Sequence, residues 1–181
     1  MQAAGHRAIA IDLPGRGRSP AHTYAVSLGR MVRAAEAALT PFGKTTVVVH
    51  SRYGIVASSL AERVPDKIAR TIYLASFMLP HGKRVLDYLP DRDSLLAQRV
   101  NINRLAMWDW LQPEAYRDAL YADCSPDDIA LARALLVCEP LRPALTRLTL
   151  TDARYGRVPR AYIRLTQDKA VSPLLQDRLL S

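Results

Sequence analysis

The chain has 181 residues, 49% hydrophobic and 23% charged, which is the balance of one compact soluble domain and not of a disordered chain. No apolar run approaches the roughly 18 residues of a membrane span, the first residues do not read as a signal peptide, and Cys124 and Cys138 have neither metal-ligand spacing nor the makings of a disulfide framework. The net charge of +8 raises nucleic acid as a partner, but the arginines are scattered among acids and no basic run alternates with stacking aromatics; a solvated arginine-rich surface on a cytoplasmic protein is the reading.

In chain order, residues 7–11 form an apolar run that ends at Asp12 and the turn Leu13-Pro14-Gly15, and they are expected to be a strand. The following Gly15-Arg16-Gly17 lacks the third glycine and the helix of a phosphate-binding loop, so it reads as a turn. Leu28, Met31, Val32, Ala35 and Leu39 recur on one face of a helix, which should stop before Pro41 and Gly43. Residues 45–49 are continuous and β-branched, which predicts a strand buried on both faces. A helix over 55–64, ended by Pro65, and a strand over 70–74 follow, and residues 160–165 complete the set. Strands alternating with helices imply parallel crossovers and an α/β class. The stretch from about 80 to 150 shows no convincing strand. Helix starts at Gln112-Pro113-Glu114 and Ser125-Pro126-Asp127-Asp128 make it a helical insertion, expected to cap the carboxyl edge of the sheet within a single domain spanning 1–181.

Parallel sheets place their chemistry at the carboxyl ends of their strands. The strand at 45–49 runs into His50-Ser51-Arg52-Tyr53-Gly54 and then a helix, the arrangement of a nucleophile elbow. Such a turn lifts the Ser51 hydroxyl above the sheet and aims the Arg52 backbone N–H at a developing oxyanion. Asp168, in Thr166-Gln167-Asp168 after the last strand, is placed to orient a histidine that takes the proton from Ser51. The plain alternatives are a helix N-cap for Ser51 and a loop or cap carboxylate for Asp168. His50 most simply packs beside the elbow, since neighbouring side chains point apart. His81, at the end of a strand, is the one surrogate base on offer, and it joins Trp108 and Trp110 as an expected wall of the substrate pocket; the tryptophans serve equally well as core of the insertion.

Several segments carry a family resemblance: residues 4–15, Val49-His50-Ser51, residues 61–68 and residues 155–163 resemble the α/β-hydrolase superfamily. The last of these, continued through Thr166-Gln167-Asp168-Lys169 and Leu174-Leu175-Gln176, resembles more narrowly the branch of hydroxynitrile lyases and plant methyl-ester esterases. The resemblance implies an α/β-hydrolase fold with a helical cap, Ser51 as nucleophile and Asp168 as triad acid. It implies hydrolysis of small carboxylic esters, aromatic methyl esters among them, with no cofactor and no metal. The expected partner is a small-molecule ester, without nucleic acid or membrane, and a homodimer is left open. Two departures stand out. The elbow's usual glycines are Val49 and Tyr53 here, so the tyrosine must swing outward or loosen the turn. The family's histidine is expected well past Asp168 and its first core strand before Ala4, whereas the histidines are His6, His22, His50 and His81; the chain therefore reads as truncated at both ends and impaired as a catalyst. The rival expectations are a lyase that cleaves a carbon–carbon bond with the same triad, and a non-catalytic hydrolase-like fragment.

Overall fold

The computed structural model describes residues 2–89 and 91–181. Three strands, β1 (Thr45–Ser51), β2 (Ile68–Ser76) and β6 (Arg160–Ile163), form a sheet in the order β1-β2-β6 with every pair parallel. Helix α1 (Leu28–Leu39) buries Leu28, Met31, Val32, Ala35 and Leu39, the face anticipated from their spacing, and Ser27 caps it by accepting the Arg30 N–H at 3.2 Å. Helix α2 (Gly54–Arg63) lies against β1 and β2, and α1 lies against α2. Their apolar faces meet in a core that includes Met31, Ile55, Leu60, Ile68 and Leu79, joined from the far end of the chain by Leu148, Val171 and Leu175.

Two expectations about the sheet are corrected. Residues 7–11 enter no β-ladder among the described residues, and Ile9 and Ile11 stay exposed. A strand exists only by pairing, and an apolar run with no neighbouring strand to join forms none. Strand β1 is not buried on both faces either: it is an edge strand with alternating exposure, and Val48 is 52% exposed. In register, Val47 and Val49 stand beside Thr71 and Tyr73 on the covered face, while Val48 stands beside Ile72 on the other.

Between β2 and β6 lie short elements: α3 (Leu95–Gln98), β3 (Val100–Asn103), β4 (Trp108–Leu111), α4 (Pro113–Ala115) running into a π-helical turn at Tyr116–Leu120, α5 (Pro126–Leu135), β5 (Glu139–Pro140) and α6 (Leu141–Leu145). The helix starts at Pro113 and at Ser125-Pro126 are as read, with Ser125 accepting the Asp128 N–H at 3.2 Å. The expectation of no strand here is overturned, because β3, β4 and β5 form an antiparallel sheet. Its polar members Asn101, Asn103 and Asp109 alternate with apolar ones, and such a short half-exposed ladder leaves a weak trace in the sequence. Helix α7 (Pro173–Leu180) closes the chain, capped by Ser172 at the Leu175 N–H. No helix among the described residues is long and apolar enough to cross a membrane.

Candidate active site

Ser51 ends β1 with φ +53°, the left-handed region that side chains other than glycine seldom occupy. The conformation is fixed by its neighbours across the ladder. Its carbonyl accepts the Phe77 N–H at 3.0 Å and the Ser76 hydroxyl at 2.6 Å. The Ser76 N–H in turn donates to the Tyr162 hydroxyl of β6 at 3.0 Å. Opposite the turn, β2 carries one residue more than β1: His50 pairs with Leu74, but Ser51 pairs with Ser76. The surplus residue, Ala75, is itself left-handed (φ +39°) and fully buried, so a bulge in β2 mirrors the turn in β1. Ser51 caps no helix, because the residue preceding α2 is Tyr53.

The close approach of helix and strand falls on Gly54. A Cβ there would lie 2.4 Å from the Phe77 carbonyl oxygen and 2.7 Å from Ser76 Oγ, distances that no side chain tolerates. Of the two options for Tyr53, an outward ring or a loosened turn, the structure has the first. The Tyr53 backbone is helical (φ −74°) and its ring turns aside, with the hydroxyl receiving Arg16 Nε at 2.9 Å and donating to Glu139 Oε2 at 2.8 Å. Burial, reinforced by the Glu139 charge, raises the Tyr53 phenol well above its ordinary range.

Arg52 sends its side chain to β4, where Nη1 meets Asp109 Oδ2 at 2.7 Å and Nη2 meets Oδ1 at 3.3 Å. Burial raises the Asp109 carboxyl above the usual range, although Arg52 opposes the shift. Burial also works against the Arg52 charge, and Asp109 and Glu139 more than offset it.

Asp168 follows β6, on the same carboxyl side of the parallel sheet as Ser51. Its Oδ1 accepts the Ala170 and Val171 N–H groups at 2.7 and 3.0 Å, which fixes the carboxylate and leaves Oδ2 without a hydrogen bond among the described residues. Asp168 and His50 line one cleft of about 570 Å³, together with Leu120, Asp123, Leu165 and Lys169. His81 is not brought to the elbow by any contact; its Nδ1 accepts the Leu150 N–H at 3.1 Å. Trp108 and Trp110 flank Asp109 on β4, both half-buried and, by strand alternation, on the face opposite Asp109. No group of side chains suited to a metal occurs among the described residues.

Sequence reasoning missed Gly54, Ser76, Asp109, Glu139 and Arg16. The first stood in plain view one residue past the position inspected. Arg16 and Glu139 are 123 residues apart, and no local pattern announces their ion pair.

The comparisons with known proteins agree with one another. The profile of the Alpha/beta hydrolase family matches residues 1–181. Putative methylesterase 11, chloroplastic, from Arabidopsis thaliana is 29% identical, aligned over 100% of this chain and 50% of its own length. The probable esterase PIR7A of Oryza sativa is 28% identical over 97% of this chain and 74% of its own. The chain thus spans about half the length of the first of these relatives. Among solved structures, the methylesterase MES16 from Arabidopsis superposes with a TM-score of 0.79 at 25% identity, over 99% of this chain and 74% of its own. Polyneuridine aldehyde esterase superposes with a TM-score of 0.82 at 21% identity, over 99% and 76%.

Proposed function

Since the chain belongs to the Alpha/beta hydrolase family, we propose that it carries the nucleophile and acid of a carboxylic ester hydrolase, Ser51 and Asp168. The observation that carries the reading is the backbone of Ser51: the β1–β2 ladder holds a serine left-handed at a strand end, three residues before the start of α2. Strain of this kind persists only where the surroundings over-determine it, and it presents the hydroxyl outward.

In the proposed reaction Ser51 Oγ attacks the ester carbonyl carbon while a general base takes its proton. The negative charge passes to the carbonyl oxygen, where the Arg52 N–H and the start of α2 stabilise it. The carbon–oxygen bond to the alcohol then breaks and the alcohol leaves with the proton; water next attacks the acyl carbon, its bond to Ser51 Oγ breaks, and the carboxylic acid and the Ser51 hydroxyl are released. Asp168, its Oδ1 fixed by two backbone N–H groups, is the group that would orient an imidazole. None of the imidazoles among the described residues bonds to Ser51 or Asp168, so these residues alone give a slow catalyst that works through the oxyanion donor and proximity. Residues 80–150 act as a cap in this reading, with Trp108 and Trp110 as apolar walls for a small ester; the esterase names of the relatives support that substrate class.

Acetylation by p-nitrophenyl acetate tests the reading. Mass spectrometry of the quenched protein should find the acetyl group on Ser51, and Ser51→Ala should lose most of the slow hydrolysis. Hydrolysis that survives Ser51→Ala intact, with acetyl groups only on lysines, would falsify it.

A further inference from the structure

Side chains from three separate stretches converge on the two residues that follow Ser51. Arg16 comes from the turn at 15–19, Asp109 from β4 and Glu139 from β5, and they meet Arg52 and Tyr53 of the elbow. Glu139 pairs with Arg16, lies 3.9 Å from Arg52 Nη1 and accepts the Tyr53 hydroxyl. Two guanidinium groups face two carboxylates, so the cluster is neutral, and Asp109 is only 4% exposed. A buried carboxylate survives because it is paired, and the two-pronged contact with Arg52 allows little rotation on either side. The elbow turn and the antiparallel sheet are thereby joined through charge.

We propose that Asp109 is a positioning residue for the oxyanion donor: it holds the Arg52 side chain, and with it the peptide whose N–H faces the reacting carbonyl. Glu139 does the same for Tyr53. Because Asp109 lies between Trp108 and Trp110, one clamp also fixes the register of both tryptophans relative to Ser51. The inference rests on the reading of Ser51 as nucleophile.

The test uses the 181-residue chain and three variants: Asp109→Asn, which keeps shape and removes charge; Arg52→Lys, which keeps charge and removes the fork; and the reversed pair Arg52→Asp with Asp109→Arg. Two quantities are read, the rate of Ser51 acetylation against ester concentration and the hydrogen exchange of amides 51–54 beside those of 70–74. Asp109→Asn should speed exchange at 51–54 by about tenfold or more with 70–74 unchanged. It should lower the maximal acetylation rate about tenfold while the half-saturating ester concentration stays within about twofold. Arg52→Lys should fall between, and the reversed pair should recover most of both losses. Unchanged exchange and rate in Asp109→Asn and Arg52→Lys overturns the proposal. So does a uniform rise at 51–54 and 70–74 that the reversed pair fails to correct, since that marks general loosening. If the parent chain shows no acetylation of Ser51, the nucleophile reading has failed, and the exchange pattern still decides whether the clamp exists.

Discussion

Around the parallel sheet, Met31, Ile55, Leu60 and Ile68 are at most 2% exposed, whereas Ile102, Leu105, Leu131 and Leu135 of the antiparallel region stand between 56% and 94% exposed. The fully buried core cluster draws on residues 26–85 and 148–179. The antiparallel sheet reaches the elbow through Asp109 and Glu139. The parallel sheet is held by apolar burial, whereas the antiparallel sheet meets the elbow through hydrogen-bonded charges. The first kind of cohesion is non-directional and arises from excluding water; the second is directional and depends on every partner staying in place.

The largest expected contrast is between two leucines. Leu60→Ala should lower unfolding free energy by about 2–5 kcal/mol, because the cavity it leaves is walled by core. Leu135→Ala should stay within about 0.5 kcal/mol. Urea titrations that return equal losses would break the division into two modes of cohesion.

Gly54→Ala comes next, at about 1–3 kcal/mol of overpacking against the Phe77 carbonyl. A variant as stable as the parent would show that α2 is free to shift off β2, and it would weaken the view of a rigid elbow.

The smallest effect concerns acid. Burial raises the Glu62 carboxyl, but the Thr151 and Tyr155 N–H groups and the Arg154 charge outweigh burial and hold it below its ordinary 4.5. A depressed folded value contributes stability that is fully present above about 4.5 and is lost as pH falls through the folded value. The melting-temperature gap between parent and Glu62→Gln should therefore be widest near neutrality and narrow below about pH 4.5. A gap that widens in acid would reverse the sign and sink the account.

Local periodicity made α1 legible to the residue, since five apolar side chains at helical spacing have no other common face. The strands around 45 and 70 were legible for the same kind of reason, a short β-branched run between breakers. Residues 7–11 carried an equal signal and formed no strand, because pairing is a property of neighbours and not of the run itself. The weak ladder at 100–111 failed in the opposite sense: Asn101, Asn103 and Asp109 masked it, and Asp109 is polar for a partner 57 residues upstream. At the proposed site, the sequence placed Ser51 and Asp168 on the carboxyl side of the parallel sheet, where the structure has them. The Arg52–Asp109 and Tyr53–Glu139 contacts were not legible, because long-range ion pairs leave no spacing to read. For Tyr53 the need to swing outward was visible from the missing glycine, but the partners that hold the ring there, Arg16 and Glu139, were not.

The bulge at Ala75 has a consequence for how sequence variation in this region would look. Position 75 applies two filters at once, a left-handed backbone and full burial in a close-packed interior. Glycine passes both; asparagine and aspartate suit the backbone but bring polar atoms into the core; valine, isoleucine and threonine fail on each count. In a library carrying every residue at 75, the survivors should collapse to alanine and glycine. The position would then look as invariant as the proposed nucleophile beside it, although it offers no reactive group. Here intolerance to substitution marks the frame that bends Ser51 into place as much as Ser51 itself.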